Sequence, residues 1–116
     1  MYARINHVIA QSEMQLTMWI ETFKSIGAKV VSEVGAVQIT ITKTSPNKAT
    51  LISVYPNKNI ADKAAKAVEK NRNEAAKLMK MEFNEGEVVF SQNSFTQEWF
   101  KNKHIKEKHL IMFLIV

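Results

Sequence analysis

His7 is the residue best placed for chemistry in this sequence. It alternates with Ile5 and Ile9 on what reads as the apolar, helix-facing side of an N-terminal strand. An imidazole there needs a hydrogen-bond partner, and imidazole as a group type suits acid or base work. The plain alternative is a core histidine satisfied by a backbone carbonyl or a tyrosine. Trp19 and Phe23, one helical turn apart, would line the same space or simply pack. Met14, Met18, Met79 and Met81 would supply an adaptable apolar wall or fill gaps. The expected pocket is therefore walled by Ile5, Ile9, Trp19, Phe23, Ile39 and Phe90, with His7 as its main polar group. Such a space suits a long or flat apolar molecule with one hydrogen-bonding group.

Other chemistries lack their residues. His104 and His109 are five apart among Lys101, Lys103, Lys106 and Lys108, a spacing that puts two ligands on no common helical face. They read as surface histidines, and no metal site is expected. There is no cysteine, so thiol catalysis, thiolate metal sites and disulfides are excluded. Three glycines form no phosphate loop, and neither a nucleophile elbow nor a paired-carboxylate pattern is present. No cofactor is expected.

These residues must be held by one domain, since 116 residues give room for a single core. A hydrophobic share of 46% beside 23% charged residues is that of a globular chain. The N-terminus lacks the apolar run and small-residue cleavage site of a signal peptide, and Leu110 to Val116 is far shorter than the ~20 residues that span a bilayer. A cytoplasmic location without membrane contact fits this and the missing cysteine. The net charge of +5 raises nucleic acid as a partner. However, the lysines of the second helix and the tail alternate with Asp62, Glu69, Glu74, Glu82, Glu98 and Glu107. That interleaving describes a solvated surface better than a phosphate-binding one.

The periodicities fall in the order strand, helix, strand, strand, helix, strand over residues 2–92. A strand over 2–10 is followed by Ser12 and Gln15 at capping-box spacing. Leu16, Trp19, Ile20, Phe23, Ile26 and Val30 then recur at three and four, predicting a helix from Glu13 to about Ser32. Val37, Ile39 and Ile41 alternate with Gln38, Thr40 and Thr42 in a second strand over 36–43. Thr44 to Lys48 is a turn cluster, and a third strand over 49–55 completes an antiparallel hairpin. Asn59 is expected to cap a second helix, which Asn84-Glu85-Gly86 ends, leaving a fourth strand over 87–92. This order is the ferredoxin-like βαββαβ arrangement, an α+β fold with an antiparallel sheet. Residues 93–116 form a C-terminal extension: a short helix from Ser94, anchored by Phe95, Trp99 and Phe100, then an apolar segment that must dock on the domain or a partner subunit.

With both helices on one side, the sheet's other face is open. It is expected to carry Arg4, Asn6, Gln38, Thr40 and Thr42 beside Val8 and either Tyr55 or Ile52 and Val54. Two monomers stacking such mixed faces would bury them. The element order, with Ser53-Val54-Tyr55-Pro56-Asn57-Lys58 running into the alanine- and lysine-rich helix Ala61 to Lys80, resembles the dimeric α+β barrel superfamily. That group includes antibiotic-biosynthesis monooxygenase-like and stress-responsive barrel proteins. The resemblance implies a homodimer with a pocket in each subunit between sheet and helices. Some similar barrel enzymes place an acid or base histidine on this strand, which implies a catalytic role for His7.

Three functions fit these residues. One is a dimeric protein that binds a small apolar molecule, fatty-acid-like or polyketide-like, or transforms it without a cofactor. A second is a regulatory or structural barrel without turnover. A third, an RNA-binding module, shares the element order, but only Tyr2 and Tyr55 stand where that family stacks bases.

Overall fold

A computed structural model of the chain describes residues 1–92. The expected extension over 93–116, including Trp99, His104 and His109, lies outside the described residues. Strand β1 (Tyr2–Ile9) leads into α1 (Glu13–Thr22), whose first turn forms where the sequence predicts it. The Ser12 hydroxyl accepts from the Gln15 amide at 3.1 Å, and Gln15 Oε1 accepts from the backbone N–H of Gln11 at 2.7 Å.

Helix one runs on through a π-helical turn (Phe23–Gly27) into α2 (Ala28–Val34). It ends at Gly35 rather than near Ser32. Gly35 holds φ at 137°, a conformation that favours glycine, so the chain reverses there. Strands β2 (Gln38–Ser45) and β3 (Lys48–Tyr55) are joined by the two-residue turn Pro46–Asn47, with a bulge at Thr44. Asn47 pins this turn to the end of β1, donating from its side chain to Ala10 O at 3.0 Å.

The second helix starts two residues earlier than expected. Asn57, not Asn59, is its cap, accepting from the Ile60 amide at 2.9 Å. It is also broken at Val68 into α3 (Lys58–Ala67) and α4 (Glu69–Ala76). The last strand is a correction. β4 spans Lys80–Glu87, not 87–92, because Met81, Phe83 and Glu85 alternate in register with Val8, Asn6 and Arg4. Asn84 and Gly86, which read as a turn, lie inside the ladder opposite Ile5 and Ala3.

The four strands form one antiparallel sheet in the order β2-β3-β1-β4, the ferredoxin-like order. Its core is divided. One cluster gathers Val8, Ala10, Leu16, Ala49 and Met79. The other gathers Val31, Tyr55, Ala61 and Ala64 beneath the second helix, where the two fully buried alanines permit close approach. Along β1 the first cluster sits at Val8 and the second at Tyr2, with Arg4 and Asn6 between them.

Candidate functional site

The gap between the two core clusters is a cavity of about 530 Å³ under the helices. That volume is in the range of small-molecule sites. Its floor is the middle of the sheet: Arg4, Asn6, Leu51, Ser53, Met81 and Phe83. One wall is helix one, with Trp19 and Phe23. The other is the second helix, with Val68, Arg72 and Ala75. Met14, Met18, Ile26 and Leu78 also line it and stay more than half exposed, so they form an apolar rim.

The π turn is what aims the aromatic wall. The N–H of Ala28 donates to the carbonyl of Phe23, five residues back, so the helix carries one extra residue at this point. Ser25 relieves the widened turn by donating its hydroxyl to Glu21 O at 3.0 Å. The ring of Phe23 lies against buried Gly27, where a Cβ would stand 2.6 Å from its Cδ2. Trp19 stacks beside it with centroids 6.0 Å apart.

The polar groups gather on the sheet. The Arg4 side chain is 11% exposed, and its Nη1 donates to Glu85 Oε2 at 3.0 Å. The same carboxylate accepts from the Tyr2 hydroxyl at 2.7 Å. That bond to Glu85, with desolvation behind it, raises the Tyr2 pKa. Desolvation lowers that of Arg4, the adjacent Glu85 opposing it and Arg72 adding to it. The Arg4 guanidinium lies 4.1 Å from the centroid of Phe83 and that of Arg72 lies 5.9 Å from it, so one ring carries two cations. Asn6 Oδ1 is buried and accepts no hydrogen bond from the described residues. A buried acceptor left open costs about 1–3 kcal/mol, so this atom needs an explanation.

The structure brings together six of the residues singled out in the sequence. Trp19, Phe23, Met14, Met18, Met79 and Met81 line the cavity. His7, Ile5 and Ile9 do not, because the facing of β1 is the reverse of the expectation: Arg4, Asn6 and Val8 lie under the helices, and Ile5, His7 and Ile9 lie on the open side. Register is the cause. Ile39 and Ile41 point to the helices and stand opposite Ser53 and Leu51, which in turn stand opposite Arg4 and Asn6. His7 instead shares a row with Thr50 and Glu82, its Nδ1 2.9 Å from Thr50 Oγ1. Ile39 faces the helices but packs in the Tyr55 cluster outside the cavity lining. Phe90 follows β4 and is 79% exposed, so it walls nothing among the described residues.

Gln38, Thr40, Thr42, Ile52 and Val54 do occupy the open face as expected. Arg4, Asn6 and Arg72 were not expected in the site. The readable sign was two polar residues on the same strand parity as Val8.

No family model matches the chain, and no curated protein matches it. Solved structures do, and they share its ferredoxin-like fold. A dimeric ferredoxin-like protein from an uncultured marine organism is 16% identical, with 79% of this chain and 97% of that one covered and a TM-score of 0.64. SnoaB of Streptomyces nogalater, a cofactor-independent oxygenase, is 12% identical over 78% of this chain and 94% of its own, with a TM-score of 0.65. HapK of Hahella chejuensis is 10% identical over 83% and 100%, with a TM-score of 0.63. Among the described residues, no helix is long and apolar enough to cross a membrane.

Proposed function

We propose that the protein is a homodimeric barrel that binds a flat or elongated apolar molecule between the sheet and the helices of each subunit. The cavity carries this reading. Close packing is the rule in protein interiors, and a space of about 530 Å³ walled by Trp19, Phe23 and methionines is the exception that a ligand accounts for. The open acceptor on Asn6 supports it, because a ligand donor would satisfy that atom.

The dimer is supported by the open face. Ile5, Ile9, Ile52 and Val54 stand there among threonines, and no helix of the described residues covers them. A second copy stacked on this face would bury them, as the dimeric description of one structural neighbour suggests. Thr40→Asp should give a monomer by light scattering, and Lys70→Asp on the helix surface should not.

Titration with the neutral probe N-phenyl-1-naphthylamine tests the binding reading. One saturable site per chain, weakened at least tenfold by Phe23→Asp, is expected. Absence of saturable binding by this probe and by 2-naphthol would overturn it. A turnover reading draws on the likeness to the cofactor-independent oxygenase. It requires oxygen uptake with a bound phenol, and binding without uptake leaves the non-catalytic barrel.

A further inference from the structure

We propose that the ligand of this cavity is an oxyanion, a carboxylate or an acidic phenolate on an apolar ring or chain, seated between Arg4 and Arg72 with a neighbouring hydroxyl donating to Asn6. This rests on the binding reading above and adds the charge and the hydrogen-bond pattern of the ligand. Three observations carry it.

The first is the charge balance. The ionisable side chains lining the cavity are two guanidiniums, Arg4 and Arg72, and a phenol, Tyr55, with no carboxylate among the described lining. Glu85 is bonded to Arg4, but it divides its oxygens between that residue and Tyr2. Two cations against one shared carboxylate leave a positive field at one end of a space whose other walls are mostly apolar. Low-dielectric walls concentrate such a field on a bound anion.

The second is donor supply. Arg4 places one guanidinium nitrogen on Glu85, and the Arg72 guanidinium has no hydrogen bond or ion pair among the described residues beyond its position over Phe83. A guanidinium carries five N–H donors. The donors left over match a two-oxygen anion, which accepts them in a planar fork.

The third is convergence. Asn6 is the cross-strand partner of Phe83, the ring over which both guanidiniums lie. Arg4 and Asn6 are two residues apart on one strand face, about 6.6 Å along the strand. Because Arg4 folds over Phe83, its head group moves toward Asn6. The acceptor's strand partner is thus the ring that both cations overlie, and an oxyanion beside a hydroxyl offers the complement of the three. Asn6 Oδ1 is otherwise a buried acceptor without a donor.

Calorimetry at pH 7 with matched naphthalenes tests this. The neutral probe is 2-naphthol, the carboxylate is 2-naphthoate, and the ionised phenol is 2,4-dinitro-1-naphtholate. Adding a donor to the carboxylate gives 3-hydroxy-2-naphthoate. At least one anion should bind ten times more tightly than 2-naphthol, and which one does so identifies the carboxylate or the phenolate. Arg72→Gln should remove most of that preference, read as the ratio of anion to 2-naphthol affinity within the same variant, and Arg72→Lys, which keeps the charge without the fork, should restore part of it. Asn6→Leu should erase the gain of 3-hydroxy-2-naphthoate over 2-naphthoate.

Equal or tighter binding of 2-naphthol in the native protein overturns the proposal. So does an anion preference that survives Arg72→Gln, or one no greater with the added hydroxyl. Failure of every probe, 2-naphthol included, overturns the binding reading itself, so the two failures are told apart.

Discussion

Strand β1 shows its two faces to opposite surroundings, and its residues are the reverse of what those surroundings usually select. Under the helices, where a core is expected, it places Arg4 and Asn6. Toward the open side, where water is expected, it places Ile5 and Ile9 about His7. Polar groups beneath helices are tolerated when something other than protein fills the space over them. Apolar groups on an uncovered sheet are tolerated when another surface arrives to cover them. One strand therefore marks both the proposed ligand site and the proposed dimer contact, by breaking the inside-outside rule on each face.

The difference between the faces is sharpest at Val8 and Ile5. Val8 is fully buried in the first core cluster. Val8→Asp should cost about 3–5 kcal/mol, the effect of an uncompensated buried charge, which is a large part of the 5–15 kcal/mol that holds a domain together. The expected result is loss of the cooperative thermal transition. Ile5→Asp should leave a folded chain with native circular dichroism but a monomer mass in light scattering. If Ile5→Asp unfolds the chain as fully as Val8→Asp does, the open face is core and the comparison fails.

How much of this was legible follows from how the strands are connected. Ile39 and Ile41 face the helices as their alternation indicates, and the tight turn at Pro46–Asn47 carries that parity across to Leu51 and Ser53. Residue parity passes through a hairpin because register is fixed by loop length. β1 is joined to β2 through helix one, which transmits no parity. Its facing had to be read from its own residues, and the face of Ala3, Ile5, His7 and Ile9 is more apolar than that of Tyr2, Arg4, Asn6 and Val8, although the second is the one under the helices. One residue of slip exchanges the faces, which is why His7 looked like the site and Arg4 and Asn6 did not. β4 was displaced for a different reason. Asn84 and Gly86 are turn formers by type, and only pairing with β1 holds them in a strand. The aromatic wall was legible, because Trp19 and Phe23 obey helical spacing. Their aim was not, because it depends on a π turn that no spacing announces.

Neighbours on opposite faces give the next contrast. Asn6→Leu removes an acceptor with no donor and keeps similar bulk. Without ligand it should therefore stabilise the protein by about 1–3 kcal/mol, as replacing an unsatisfied buried group does, while weakening 3-hydroxy-2-naphthoate to the level of 2-naphthoate. His7→Leu should leave ligand affinity within twofold and shift stability by less than about 1 kcal/mol in the monomer, since the imidazole is exposed there. Thermal melts with and without 3-hydroxy-2-naphthoate separate the two. Equal loss of affinity in both variants would mean that the faces are not independent.

The mildest test changes a single methyl group on each side of the sheet. Gly86 lies in β4 opposite Ala3 on the open side, and a Cβ there meets nothing within 4 Å. Gly86→Ala should add about 0.5–1 kcal/mol by restricting the unfolded chain and leave ligand binding untouched. Gly27→Ala should gain a similar amount from helix propensity. However, its Cβ would stand 2.6 Å from Phe23 Cδ2 and 2.9 Å from Cε2, so the ring must turn away. The turn is cheap because the ring ends in the cavity rather than against backbone, so the net change in stability should stay within about 1 kcal/mol. The ring then occupies space that a ligand would use. Three-ring acids should lose affinity by tenfold or more, while naphthalene acids lose little. A uniform loss across both sizes would show that Gly27 supports the wall without setting the width of the site. No loss at either size would place the ligand away from Phe23, and the cavity would then be gated by the opposite wall at Val68 and Ala75.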